Sequence, residues 1–108
     1  MKRGEIYWAN LGPGGRRPAL VVSPTAAVGR RSRVTVVPIT RTIRGLRSEV
    51  MLGPREGLSK RSVAACEDVT TISQTLVSKR RAGVLAESRT RELDRALVYA
   101  LGIGPLPR

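Results

Sequence analysis

The chain has 108 residues, room for one compact domain and too little for two. Twenty Lys and Arg against eight Asp and Glu give a net charge of +12, which disfavours self-association by bare collision and favours a polyanion: RNA, DNA, an acidic protein or an anionic membrane. Histidine is absent and Cys66 is the only thiol, which excludes a His/Cys zinc site, any Ser–His or Cys–His catalytic pair and an intrachain disulfide.

The elements follow in chain order. Residues 5–11 (EIYWANL) alternate as a first strand, and Gly12-Pro13-Gly14-Gly15 is a turn. Residues 17–23 (RPALVVS) form a near-continuous apolar run, the pattern of a central strand buried on both faces, with Pro18 where no ladder donor is needed. Pro24–Arg31 reads as a loop with at most a short helical turn. Residues 33–39 (RVTVVPI) are β-branched and strand-like. Residues 41–47 hold three Arg around Gly45 and read as a loop, and 48–52 (SEVML) as another strand. Residues 62–66, 69–73 and 81–85 supply three more short strand-like pieces. From Thr90 to Leu101 the period changes: Leu93, Ala96, Leu97, Ala100 and Leu101 fall at helical spacing. Thr90 or Ser88 is the expected cap, Glu92 lies in the first turn, and Gly102 with Pro105 ends the helix. So short a helix must bury its stripe against the sheet. The expected fold is α+β, mainly antiparallel: a small, strongly bent, SH3-like barrel with a C-terminal helix, as a single domain over 1–108.

No stretch approaches the ~18 apolar residues of a membrane span, and residues 1–11 alternate instead of forming a signal peptide's apolar block. A cytoplasmic protein with no membrane partner is the expectation. Seventeen of the twenty cations are Arg. That suits bidentate phosphate contacts, and genomic base composition explains it equally well. Tyr7, Trp8 and Tyr99 are few aromatics for a protein that binds single strands mainly by stacking. The glycine cluster at 12–15 lacks the helix that a nucleotide fingerprint requires, so no cofactor is expected. Cys66 reads as a small buried hydrophobe.

Several segments together resemble the MazF/PemK family of toxin ribonucleases. "KRGEIYWANLGPGGRRPALVVSP" is similar to that family's first hairpin, and "VTVVPIT" to its next strand, which ends in a Thr. "GLSKRSVAACEDVTTIS" resembles the later segment with an acidic residue and a Thr-Ile pair, and the helix ending in "LVYALGI" also fits. The resemblance covers nearly the whole chain in the family's order. It departs in the first loop: many members have a Gly-Ser-Glu element before Arg-Pro, where this chain has only Gly12–Arg16. The resemblance implies a PemK/CcdB-like barrel, a metal-independent endoribonuclease that cuts single-stranded RNA, a homodimer, and an acidic MazE-like antitoxin.

Cleavage by the 2′-hydroxyl needs a proton removed, a proton delivered and the phosphorane's charge stabilised. Arg17 is the first candidate, because a guanidinium fork fits two phosphate oxygens; on spacing alone it is one more surface cation. The resemblance makes it the catalytic Arg. Arg16, its neighbour on the other face, has a supporting role in RNA binding. Thr40, at the end of a strand, has a hydroxyl for the phosphate or the 2′-hydroxyl, and the resemblance assigns a functional Thr there. Glu67, expected partly desolvated at a strand end, either accepts the 2′-hydroxyl proton or orients Arg17; a structural ion pair is equally consistent, and Asp68 competes for the role. Arg41, Arg44 and Arg47 form a phosphate-tracking rim or a solvated loop. Lys79-Arg80-Arg81 and Arg30-Arg31 supply general attraction. Two other functions stay open: a non-catalytic basic RNA- or DNA-binding barrel, and a protein-directed toxin similar to the gyrase poison CcdB.

Overall fold

The computed structural model describes residues 1–104, so Pro105 lies outside the described residues. Seven strands and two helices follow one another: β1 (Glu5–Asn10), β2 (Arg16–Val21), α1 (Thr25–Val28), β3 (Arg33–Thr40), β4 (Glu49–Leu52), β5 (Ser62–Ala65), β6 (Thr70–Ser73), β7 (Val77–Val84) and α2 (Thr90–Ala100). The strands pair antiparallel in the order β4-β5-β3-β2-β1-β7, with β6 also on β3. This is the expected small antiparallel α+β fold.

The β1–β2 hairpin turns where the glycines are. Gly12 and Gly15 have φ of +107° and +75°, a region that strains any residue with a Cβ. The turn closes with Gly15 N–H donating to the Gly12 carbonyl at 2.9 Å, and Asn10 Oδ1 accepts the Gly12 N–H at 3.1 Å.

β3 is the hinge of the sheet. One of its edges pairs with β2. The other pairs with β6 as far as Val36 opposite Thr70, and with β5 from Ile39 opposite Ala64. Pro38 falls in the gap between the two partners, where a residue without an N–H costs no ladder bond. Strand alternation sends neighbouring side chains to two cores. Ile6, Leu20, Val37 and Ile39 pack with β4, β5 and the α2 residues Leu93 and Ala96. Tyr7, Ala19, Val21, Val34 and Val36 pack with Val28 of α1. Leu93 is fully buried, worth about 2–3 kcal/mol of apolar transfer, and Leu93→Ala is the single change that would best detach α2.

The two ends of the strand path meet without a ladder. The turn after β4 presses on β7: a Cβ on Gly57 would lie 2.7 Å from the Ala82 carbonyl oxygen, and one on Gly83 would collide with the Glu56 carbonyl. Glycine at both positions lets two backbones touch and curls the sheet. Glu56, only 6% exposed, ties this turn to α2. Its carboxylate accepts the Gly53 N–H at 2.7 Å and pairs with Arg89 at 3.3 Å.

Three expectations need correction. β7 begins at Val77, not at 81, so Lys79-Arg80-Arg81 lies within a strand. It is the terminal strand of the path, and charged residues there block pairing with another chain. β2 ends at Val21, because Val22 and Ser23 both donate to the Thr35 carbonyl in a turn instead of a ladder. Neither Thr90 nor Ser88 caps α2. A 3-10 turn over Glu87–Arg89 runs into the helix, and the Thr90 hydroxyl donates back to the Glu87 carbonyl at 2.8 Å.

Candidate active site

The β2–β3 register places Ala19 opposite Pro38. The ladder stops there, and Arg17 and Thr40, each two residues beyond it, lie at the same end of the sheet. Both residues line two adjoining concavities. The first, about 490 Å³, is completed by Trp8, Arg16, Arg41 and Lys60; the second, about 290 Å³, by Arg44, Glu49, Glu67 and Asp68. Three residues distant in the chain, Arg17, Thr40 and Glu67, are thus brought to one place.

Arg17 is the second residue of β2 and is exposed. Its guanidinium lies over the hairpin turn, where a Cβ on Gly14 would stand 3.1 Å from Nη2. The bare Cα of Gly14 makes that path free. Among the described residues the four ion pairs involve Arg3, Arg81 and Arg89, and none uses Arg16, Arg17, Arg41 or Arg44. The cations at this end of the sheet therefore face solvent uncompensated. Thr40 Oγ1 accepts the Thr42 N–H at 3.1 Å. Its own hydroxyl proton stays available for an acceptor outside the protein.

Glu67 and Asp68 sit on a 3-10 turn, Cys66–Asp68, directly after β5. The turn points Cys66 into the core and leaves both carboxylates exposed. Glu67 is therefore not partly desolvated as expected: the strand stops one residue before Cys66, and the turn tips the next two side chains outward. Both acids line the smaller concavity, so position does not separate them. Burial pushes the Cys66 thiol up to about 11, which removes it as a nucleophile at neutral pH.

The 41–47 loop divides. Arg41 faces the larger concavity and Arg44 the smaller. Arg47 belongs to neither: its guanidinium stacks 4.9 Å over the Tyr99 ring of α2. A cation–π contact inside the chain thus takes the third Arg of the expected rim away from the site. Arg16, expected on the face opposite Arg17, lines the same larger concavity at the hairpin end and donates to Ser78 Oγ at 3.3 Å.

Sequence reasoning missed Glu49. Its Oε1 accepts the backbone N–H groups of Gly45 at 2.9 Å, Leu46 at 3.1 Å and Arg44 at 3.2 Å. Three successive amides gathered on one carboxylate form a nest that fixes the loop and with it Arg44. The available signal was an acid placed four residues after a loop glycine. Trp8 and Lys60 were also missed as walls; exposed Trp8 stands opposite Pro18 in the hairpin.

Residues 2–101 match a family model described as the PemK-like, MazF-like toxin of type II toxin–antitoxin systems. The chain is 41% identical over 100 residues to the probable endoribonuclease MazF5 of Mycobacterium tuberculosis, covering 92% of this chain and 91% of that one. It is 35% identical over 87 residues to endoribonuclease MazF3 of the same organism, covering 81% and 84%. Among solved structures, the Mycobacterium tuberculosis toxin MazF-mt6 superposes with a TM-score of 0.87 at 32% identity, covering 93% of this chain and 98% of that one. An endoribonuclease from a mycobacterial species, in complex with its cognate antitoxin, superposes with a TM-score of 0.85 at 28% identity and 99% coverage of both chains. With two adjoining concavities at the Arg17 end of the sheet and a family model matched over nearly all its length, this chain belongs to the PemK-like, MazF-like toxins of type II toxin–antitoxin systems.

Proposed function

We propose that this MazF-family endoribonuclease toxin cuts single-stranded RNA, without a metal ion, at the two concavities that Arg17 and Thr40 share. The single observation that carries the reading is that shared wall: an unpaired guanidinium and a free hydroxyl donor on both cavities, with the carboxylates of Glu49, Glu67 and Asp68 on the smaller one. The 2′-hydroxyl attacks the adjacent phosphorus, forming the O2′–P bond and breaking the P–O5′ bond. Arg17 donates to the non-bridging oxygens as their charge grows. It stays protonated throughout and is no base. Thr40 donates a second hydrogen bond to the same phosphate. Glu67 takes the 2′-hydroxyl proton, and water supplies the proton to the departing 5′-oxygen. Arg16, Arg41 and Arg44 hold flanking phosphates.

The partners follow from the same surface. The net charge of +12 suits the RNA, and equally an acidic MazE-like antitoxin whose flexible tail covers the site. The homodimer belongs to this proposal. Val98, Tyr99 and Ile103 line one concavity at the end of α2, an apolar surface that a two-fold pair would cover. No helix among the described residues is long and apolar enough to cross a membrane, and the proposed place of action is the cytoplasm.

The test is incubation of RNA with the protein in excess chelator. Fragments ending in a 2′,3′-cyclic phosphate, with a DNA copy left whole, support the proposal. Intact RNA that nonetheless binds selects the non-catalytic barrel. RNA neither cut nor bound selects a protein-directed toxin.

A further inference from the structure

A larger cavity lies at the opposite end of β2 and β3, outside the Arg17 site. It measures about 800 Å³, and its walls include Arg30, Arg31, Arg33, Ser23, Thr35 and Thr71. We propose that it is a second phosphodiester-binding site, which holds the RNA strand several nucleotides away from the scissile bond. The inference rests on the RNA-cleaving reading of the Arg17 site.

Charge comes first. Three Arg side chains share the cavity and no carboxylate lines it. None of the three enters an ion pair among the described residues. A solvated charge run has no reason to be concave or to be held in place, and this one is both. Gln74 fixes the 28–32 segment: its Nε2 donates to the Val28 and Arg31 carbonyls, both at 2.7 Å, and its backbone N–H donates to the Ser32 carbonyl at 2.8 Å. Those bonds occupy carbonyl oxygens that would repel an anion, and they set Arg30 and Arg31 on the rim. The Arg33 guanidinium is steadied by one bond to the Thr71 carbonyl at 2.9 Å, which leaves most of its fork free.

The floor adds donors. The hydroxyls of Thr35 and Thr71 meet at 2.8 Å, which uses only one of their two protons. Ser23 Oγ accepts the Thr35 N–H at 2.8 Å, leaving its own proton free. A guanidinium fork beside unspent hydroxyl protons fits the two non-bridging oxygens of a phosphodiester.

The span is right for one strand. β3 runs from Arg33 in this cavity to Thr40 in the other site, about 23 Å at the usual strand rise. That corresponds to about seven nucleotides at a stacked rise of about 3.4 Å.

The test uses 2′-O-methyl RNA, which has no attacking hydroxyl, in lengths of about 3 and about 20 nucleotides, the shorter unable to reach from one site to the other even when unstacked. Arg30→Ala/Arg31→Ala is expected to bind the long strand about tenfold more weakly. Its salt slope should fall by about 1.4, or about 0.7 for each phosphate that the protein no longer neutralises. The loss on the short strand should be several-fold smaller. Arg55→Ala/Arg91→Ala removes the same charge from exposed positions that line neither site. Equal losses in the two variants, or equal losses on the two lengths, would overturn the second site. So would parent-like RNA binding combined with weakened binding of an acidic peptide, which would assign the cavity to a protein tail. Should the alanine pair fold poorly, Arg30→Lys/Arg31→Lys is the substitute; it should keep the salt slope while lowering affinity for the long strand more than for the short. Failure to cleave RNA in chelator would sink the catalytic reading and leave this binding comparison intact.

Discussion

The two sides of this small sheet treat arginine in opposite ways. Against α2, Arg89 is held by Glu92 at 2.6 Å and by buried Glu56 at 3.3 Å, and Arg3 by Asp94 at 2.8 Å. At the hairpin end, Arg16, Arg17, Arg41 and Arg44 line cavities with no ion-pair partner among the described residues. One set of cations cements the helix to the sheet. The other keeps its charge unspent for a ligand. The difference shows that a count of charges says little until their partners are known.

The first way to sharpen the contrast is at the unspent end. Arg17→Ala should lower RNA cleavage by about 10²–10³-fold, the usual loss of one donor to a developing oxyanion. The melting temperature should stay within a few degrees, because Arg17 has no internal partner to lose. A rate drop matched by unfolding would erase the distinction. At the cemented end, Glu56→Ala leaves the buried Gly53 N–H without an acceptor and Arg89 without one partner. A cost of about 2–3 kcal/mol is expected in denaturant unfolding, discounted because Arg89 is partly exposed. Cleavage per folded molecule should hardly change.

Gly83→Ala tests the contact that joins the two ends of the strand path. Its Cβ would strike the Glu56 carbonyl, and overpacking of this kind costs about 1–3 kcal/mol. A fall of about 4–12 °C in melting temperature is expected, and an unchanged value would mean that the contact is loose. Glu49→Ala releases three loop amides near Arg44. RNA affinity should fall about three- to fivefold, with stability lowered by about 1 kcal/mol. Equal losses on RNA and on an uncharged reporter of folding would reduce Glu49 to a structural role.

The smallest effect concerns Glu5. Burial acts to raise its pKa, but hydrogen bonds from Tyr7, the Lys2 backbone and Arg81 outweigh it and leave the carboxyl below its ordinary 4.5. A lowered folded-state pKa means stability that is fully present above 4.5 and is lost as pH falls through the lower value. Glu5→Gln should therefore flatten the acid limb of the stability curve and leave its slope near neutrality unchanged. An acid limb identical to the parent's would show that Glu5 carries none of it.

Much of the fold could be read in the chain. A near-continuous apolar run marked β2 and a β-branched one β3, the glycine cluster at 12–15 marked the hairpin, and the helical spacing over Thr90–Leu101 marked α2. These are local signals, and local stereochemistry decides them. β7 was half hidden because its charged first half, Lys79-Arg80-Arg81, lacks the apolar alternation of a strand, although a terminal strand carries such charges for its own protection. Of the site, Arg17, Thr40 and Glu67 are legible only through a family likeness, and the fold brings all three to the smaller cavity.

Residue order alone decided the net charge, the absence of histidine, the alternation that selects strands and the stripe that selects one helix, since each depends on side-chain chemistry or nearest-neighbour spacing. Only the tertiary structure decided which arginines are neutralised. Arg47 goes to Tyr99 and Arg44 to a cavity, though they lie three residues apart in one loop. Glu49 spends its carboxylate on backbone amides, and the turn after β5 turns Glu67 outward. Pairing of charges depends on distances of a few ångströms between segments far apart in the chain, and no local pattern encodes those distances.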